Sequence, residues 1–254
     1  MKNQFKTMLL FAAVLFTIGC AKDEDTTTTG GGTSAQLLIK TTFWNPTSGV
    51  ESTFEEVTYD SKGAFESFKS GGNTTTVELN ANATIAKFLV KAANYPVNSQ
   101  LHEITYTNNK VSKIVTTFYQ QTGAVSNTLT KNYEYNTAGK ISKLSFVDSS
   151  RPTDTYNYNY TWTGDNVSKK EYLFNGNVAS SQEYTYDDKK NPYYEGGIFM
   201  DYIYSRNYDP ISKNNRLTVK SSFGTQTTTY TYNDAGYPTS SKQTAAEGIK
   251  YYYK

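Results

Sequence analysis

The 254-residue chain predicts an all-β fold: a large antiparallel up-and-down meander of about 16–18 short strands, ending as a closed barrel, a flattened barrel or a strongly curled sheet. Three observations predict it. A Tyr-x-Tyr-Asn/Asp-x-x-Gly pattern recurs, as in residues 133–139 (YEYNTAG) and 230–236 (YTYNDAG). Tyrosines alternate with polar residues at the two-residue period of a strand, as Tyr156, Tyr158 and Tyr160 do around Asn157 and Asn159. Eight copies align, one hairpin each, and sixteen strands exceed the roughly ten that an open twisted sheet tolerates.

The N-terminus carries an address. Lys2 and Lys6 precede an apolar run from Met8 to Ile18, whose eleven residues would rise about 16 Å as a helix, roughly half a bilayer core. Residues 1–19 therefore suit a signal peptide and not a membrane span. Thr17-Ile18-Gly19-Cys20 resembles a bacterial lipobox, with Thr17 where Leu is usual. The resemblance implies that Cys20, the chain's single cysteine, is diacylated and becomes the new N-terminus. Several acyl chains, at about 0.8 kcal/mol per buried CH₂, anchor far more firmly than one. Lys22, Asp23, Glu24 and Asp25 resemble the export signal that sends Bacteroidota lipoproteins to the cell surface. Residues 20–36 then form the lipidated Cys and a tether, of which 21–36 would span about 22 Å as a flexible coil. The expected location is the outer membrane, lipid-anchored and facing the exterior.

Residues 37–254 are the predicted repeat domain, with 37–43 as opening strand and 249–253 as closing strand. Repeat anchors fall at Tyr59, Leu79, Tyr106, Tyr135, Trp162, Tyr186, Ser212 and Tyr232, spaced by 20, 27, 29, 27, 24, 26 and 20 residues. In the clearest copy Tyr133 and Tyr135 share a strand face, Asn136 opens a turn, and Gly139 supplies the left-handed residue of a type I turn with a G1 bulge. Asn108-Asn109 and Gly164-Asp165 suit two-residue turns. A bulge in the second strand would reconcile the opposite parity of Ile141 and Leu144. Residues 84–93 (TIAKFLVKAA) also fit a helical period, but the repeat alignment favours a strand for their first half.

These motifs resemble the Tyr-Asp (YD) repeats of RHS proteins, and more closely the YD-like lipoproteins of unknown function in Bacteroidota. The resemblance covers roughly residues 50–254 and implies a large antiparallel, porin-like barrel with no established activity. RHS proteins build a toxin-enclosing shell from many more repeats, and eight copies without an appended toxin domain depart from that role.

A barrel crossing a membrane needs an aliphatic outer band on strands of about nine to eleven residues. Leu, Ile and Val total only 30 of the 235 residues from Cys20 onward, and the non-tyrosine strand face is Thr, Asn, Glu and Ser. A water-facing barrel with its tyrosines inward is expected. Removing residues 1–19 leaves 23 basic and 23 acidic groups, which disfavours nucleic acid as partner.

No catalytic signature is present, and the chain reads as a non-enzyme without cofactor or metal. His102, the single imidazole, reads as an exposed or hydrogen-bonded strand residue. Asp187-Asp188 and Asn233-Asp234 sit at turn positions that favour such residues without calcium. Aromatic faces that could stack on sugar rings remain as ligand candidates: Trp44, Trp162, Tyr193, Tyr194, Tyr202 and Tyr204. Residues 191–210 are the least repeat-like stretch and the expected site of a specialised loop. A monomer is expected, binding an extracellular polymer such as a glycan. The alternatives are a structural or protein-interaction subunit of an envelope complex, and a pore-forming barrel.

Overall fold

The structure, a computed structural model, describes residues 36–196, 211–243 and 247–254. Cys20, Lys22, Asp23, Glu24, Asp25, Tyr202 and Tyr204 lie outside the described residues. The chain's second compact unit, Ala35–Lys254, carries every strand described below.

The strands follow in sequence as β1 (Leu38–Trp44), β2 (Glu51–Tyr59), β3 (Phe65–Ser70), β4 (Asn73–Leu79), β5 (Ile85–Ala92) and β6 (Gln100–Thr107). Next come β7 (Lys110–Tyr119), β8 (Val125–Tyr135), β9 (Ile141–Asp148), β10 (Tyr156–Thr163), β11 (Asn166–Phe174) and β12 (Asn177–Lys190). A five-residue helix α1 (Pro192–Gly196) leads on, and the chain closes with β13 (Asn214–Ser221), β14 (Gly224–Thr227), β15 (Thr229–Tyr232), β16 (Pro238–Lys242) and β17 (Gly248–Tyr253). Residues 85–92 form a strand throughout, so the repeat prevails over the helical period there.

All seventeen segments belong to one antiparallel sheet, and β1 pairs with both β2 and β17. A ring whose neighbours are all antiparallel needs an even number of strands. The count closes because β14 and β15 are two halves of one strand, interrupted only at Thr228. The first half pairs with β13 and the second with β16, which leaves a seam between the start of β13 and β15. The result is a nearly closed up-and-down barrel.

Each repeat hairpin carries the same bulge. Tyr135 pairs with Ile141 and Glu134 with Lys143, so Ser142 is the extra residue and both Ile141 and Leu144 point inward, buried. Glu66, Ala86, Ser112, Ser168 and Thr239 occupy the equivalent position in five other hairpins. Gly139 has φ 78°, as the turn requires, and Asn108 and Asn109 both lie in the left-handed region of a two-residue type I′ turn.

The inward faces explain the tyrosines. Phe88, Ile114 and Val167 are fully buried, and with Tyr133, Tyr184, Leu144 and Ile211 they form one core cluster. Several anchor side chains tie their repeat to the one before. Tyr106 donates its hydroxyl to the Ile85 carbonyl at 2.9 Å, Tyr135 to Val111 at 2.7 Å, and the Trp162 indole N–H to Ile141 at 2.7 Å. In each case the acceptor residue is the strand partner of the preceding anchor: Leu79, Tyr106 and Tyr135. The rule continues through the closure. Tyr253 donates to Pro238, the partner of Tyr232, and Tyr59 donates to Leu38, the partner of Tyr253. Lys110 and Lys140 then cap the next anchor ring, over Tyr135 at 5.1 Å and Trp162 at 5.4 Å.

The outward face is polar. On β10–β12 it carries Asn157, Asn159, Thr161, Lys169, Glu171, Ser181, Glu183 and Thr185, with the paired Leu173 and Val178 as aliphatic exceptions. The tight repeat turns at 60–63, 80–83, 108–109, 136–139, 164–165 and 233–236 lie at one end of the barrel. Both ends of the domain are there too, since Leu37 and Lys254 exchange backbone hydrogen bonds of 3.2 and 3.0 Å.

Candidate functional site

The seam between β13 and β15 opens into a cavity of about 200 Å³ inside the wall. Its formation follows from local sequence. After β12, Asn191 caps α1 by accepting the Tyr193 N–H at 3.0 Å, and Pro192 takes the first helical position, where no N–H is needed. The Asn191 side chain also donates to the Ser212 carbonyl at 2.9 Å. These bonds turn the chain inward, and Tyr193 reaches across to donate to the buried Glu55 carboxylate at 3.1 Å. Thr41 donates to the same oxygen at 3.0 Å.

Phe43, Tyr193, Tyr230 and Tyr251 supply aromatic surface to the cavity. Phe43 is paired with Ile249 and faces inward, yet is 46% exposed because the cavity opens beside it. The ring of Tyr193 stands edge-on to Tyr251, centroids 6.5 Å apart, and Tyr251 shares a 2.9 Å hydrogen bond with Ser241. The planar polar side chains Asn191, Asn215, Arg216, Gln243 and Glu247 complete the wall. Gln243 and Glu247 stand where β16 leaves and β17 enters, so the mouth lies at the barrel end opposite the repeat turns.

The candidate residues separate. Tyr193 lines the cavity, whereas Tyr194 is exposed beside it and outside the lining. Trp162 sits in the wall of the core with its N–H bonded to Ile141. Trp44 faces outward and lies over Gly248, with the Lys250 ammonium 5.1 Å from its ring. Next to it Glu51 accepts from Lys250 and from Tyr252 (2.6 Å), contacts that bring its carboxyl down to about 2. The stretch 191–210 supplies Asn191, Pro192 and Tyr193 to the cavity, and the rest of it from 197 lies outside the described residues.

Sequence reasoning missed Phe43, Arg216, Tyr230 and Tyr251. Tyr251 and Tyr253, two apart near the C-terminus, repeat the Tyr-x-Tyr signal and mark a closing copy of the motif. Arg216 sits in a degenerate copy, and its place beside the cavity follows from strand register alone.

His102 is buried in β6. Its Nδ1 lies 2.9 Å from the Thr116 hydroxyl, and its Nε2 has no hydrogen-bond partner. Burial, with the Lys131 charge nearby, brings the imidazole down to about 4. It lies outside the cavity lining.

The fold defines a large antiparallel barrel with a side cavity at its one imperfect seam. No protein family matches the sequence, and no curated protein does. Among solved structures the chain is similar to a porin-like protein from Bacteroides uniformis ATCC 8492, at 15% identity and a TM-score of 0.54 over 85% of this chain and 96% of that one. It is also similar to a porin-like protein from Bacteroides vulgatus ATCC 8482, at 13% identity and a TM-score of 0.53 over 87% and 99% of the two chains. At these identities the likeness is one of fold.

Proposed function

We propose that this chain is a non-catalytic, lipid-anchored outer-membrane protein of the YD-repeat type, and that its seam cavity binds a segment of an extracellular glycan. One observation carries the reading: aromatic rings and planar polar side chains line a single opening in the wall. Ring faces suit the C–H faces of a sugar, and Asn, Gln and Arg suit paired hydroxyls. A cavity of about 200 Å³ has room for about one sugar unit, with the polymer continuing through the mouth.

The geometry supports presentation at a surface. Leu37 enters the barrel at the repeat-turn end, opposite the mouth. The polar outer wall supports a barrel standing in water and held by its lipid. The porin-like neighbours in fold support an envelope role. Buried Phe88, Ile114 and Val167 count against an open conducting channel.

Native affinity electrophoresis of the full chain in neutral detergent, against a panel of polysaccharides, tests this. At least one polymer should retard the protein, and Phe43→Ala should relieve the retardation while preserving the β-sheet circular dichroism. A folded protein that no polymer retards would overturn glycan binding and favour the envelope-complex reading.

A further inference from the structure

Building on the glycan reading of the cavity, we propose that the bound sugar carries a carboxylate and that Arg216 is the residue that selects it. Arg216 pairs with Tyr186 across the β12–β13 ladder, which turns its side chain to the inner face and into the cavity lining. The guanidinium carbon lies 5.6 Å over the ring of buried Tyr184. That contact holds one face of the group and leaves its five N–H donors open.

Several other polar groups of this wall are occupied. Asn215 donates its side-chain amide to the Lys190 carbonyl at 3.0 Å and its backbone N–H to Asp187 at 3.0 Å. Ser241 and Tyr251 bond one another. Two nearby carboxylates are occupied as well: Glu55 takes Thr41 and Tyr193, and Asp187 takes Asn215 and Tyr232. Among the described residues no carboxylate lies within ion-pair distance of Arg216, and its guanidinium makes no hydrogen bond to any of them.

A guanidinium stays protonated at any pH a protein survives, so this half-buried cation cannot relieve its cost by losing a proton. Water meets part of that cost when no ligand is bound. A carboxylate meets it better, because its two oxygens match the guanidinium fork in a bidentate pair. Phe43 and Tyr230 leave aromatic surface for the sugar ring once its acid group has docked. A uronic acid unit has both parts in one molecule: a pyranose ring and a carboxylate on C5.

Isothermal titration of the full chain in neutral detergent tests this with trigalacturonate and its carboxyl-reduced, neutral counterpart. Wild type should bind the acid about tenfold or more tightly than the neutral trisaccharide. Arg216→Gln should abolish that preference, and Arg216→Lys should keep part of it, since a point charge lacks the fork. Should Arg216→Gln fail to fold, wild type still decides. Its preference for the acid should shrink as salt rises from about 0.05 to 0.5 M, while neutral binding holds. Equal binding of both sugars by wild type would overturn the selection and leave the glycan reading standing. So would a preference that survives in Arg216→Gln. Binding of neither sugar would overturn the selection, and the polysaccharide panel then decides the glycan reading.

Discussion

Tyr253 donates its hydroxyl to the carbonyl oxygen of Pro238 at 2.7 Å, the bond that Tyr135 makes to Val111 in the middle of the sheet. The repeat's own tie therefore runs through the closure, from β16 across β17 and, by way of Tyr59 and Leu38, into β1 and β2. The anchors are chain-to-chain fasteners, which explains why Trp162 can replace tyrosine: an indole N–H reaches the same acceptor.

Removing one hydroxyl should cost about 1 kcal/mol, a typical hydrogen bond, because the ring still packs while a part-buried carbonyl loses its donor. Tyr135→Phe and Tyr253→Phe should each lower the urea midpoint by the corresponding amount. Tyr253→Phe should also raise hydrogen exchange along β1 and β17, where Tyr135→Phe should not.

Inserting an alanine after Ser112 should be far more damaging than substituting Ser112. The bulge there brings Val111 and Ile114 to one face, both buried, and one further residue shifts the rest of β7 by one position. Lys113 would then face the core in place of Ile114. We expect loss of near-ultraviolet circular dichroism on insertion, and a near-native spectrum for Ser112→Ala.

Trp44 packs onto Gly248 so closely that an added Cβ would meet the indole nitrogen, and the Ser241 carbonyl oxygen at 2.9 Å. Gly248→Ala should displace the indole and cost about 1–3 kcal/mol as overpacking. A red shift in tryptophan emission checks it, with Trp162→Phe as background so that Trp44 reports alone.

Stability should fall on mild acidification because of His102. Its imidazole is held at about 4 in the fold, against roughly 6.5 in the unfolded chain. Between those values the unfolded state binds a proton and the folded state does not, so stability drops as pH falls from about 6.5 to 4 and levels off below. The full loss is about 3 kcal/mol by linkage. His102→Gln, compared with wild type by urea unfolding at pH 7 and pH 4.5, should remove most of this dependence. The loss due to Glu51 belongs to a lower window, from about 4.5 down to about 2, as its salt-bridged carboxylate takes up a proton.

A chain beginning at Ala21 should remain in solution without detergent, because charged, amide and hydroxyl side chains separate the aliphatic residues of the outer wall, such as the pairs Leu89–Leu101 and Leu173–Val178. Sedimentation of that chain at high speed checks it: a soluble species agrees, and a requirement for detergent points to a spanning barrel.

The architecture was legible because the repeat is local. Tyr-x-Tyr, the turn residues and the bulge parity of Ile141 and Leu144 all act within about twelve residues, and together they dictate strand count and facing. The cavity was not legible, because Phe43, Tyr193, Arg216 and Tyr251 meet only through ring closure and the break at Thr228. Nothing in a linear pattern distinguishes Trp44, which faces out, from its neighbour Phe43, which faces in, until the register of β1 on β17 is known. Trp162 drew attention as a rare aromatic, but its rarity reflects a substitution within the anchor series.

Hydrogen–deuterium exchange of the full chain, with and without each member of a polysaccharide panel, tests the ligand site most directly. The account predicts that at least one polymer slows exchange in peptides covering Phe43, 191–193, 215–216, 228–230, 241–243 and 247–251, and nowhere else. Protection on the outer wall around Trp44, Glu51 and Tyr252, or none with any polymer, would contradict it.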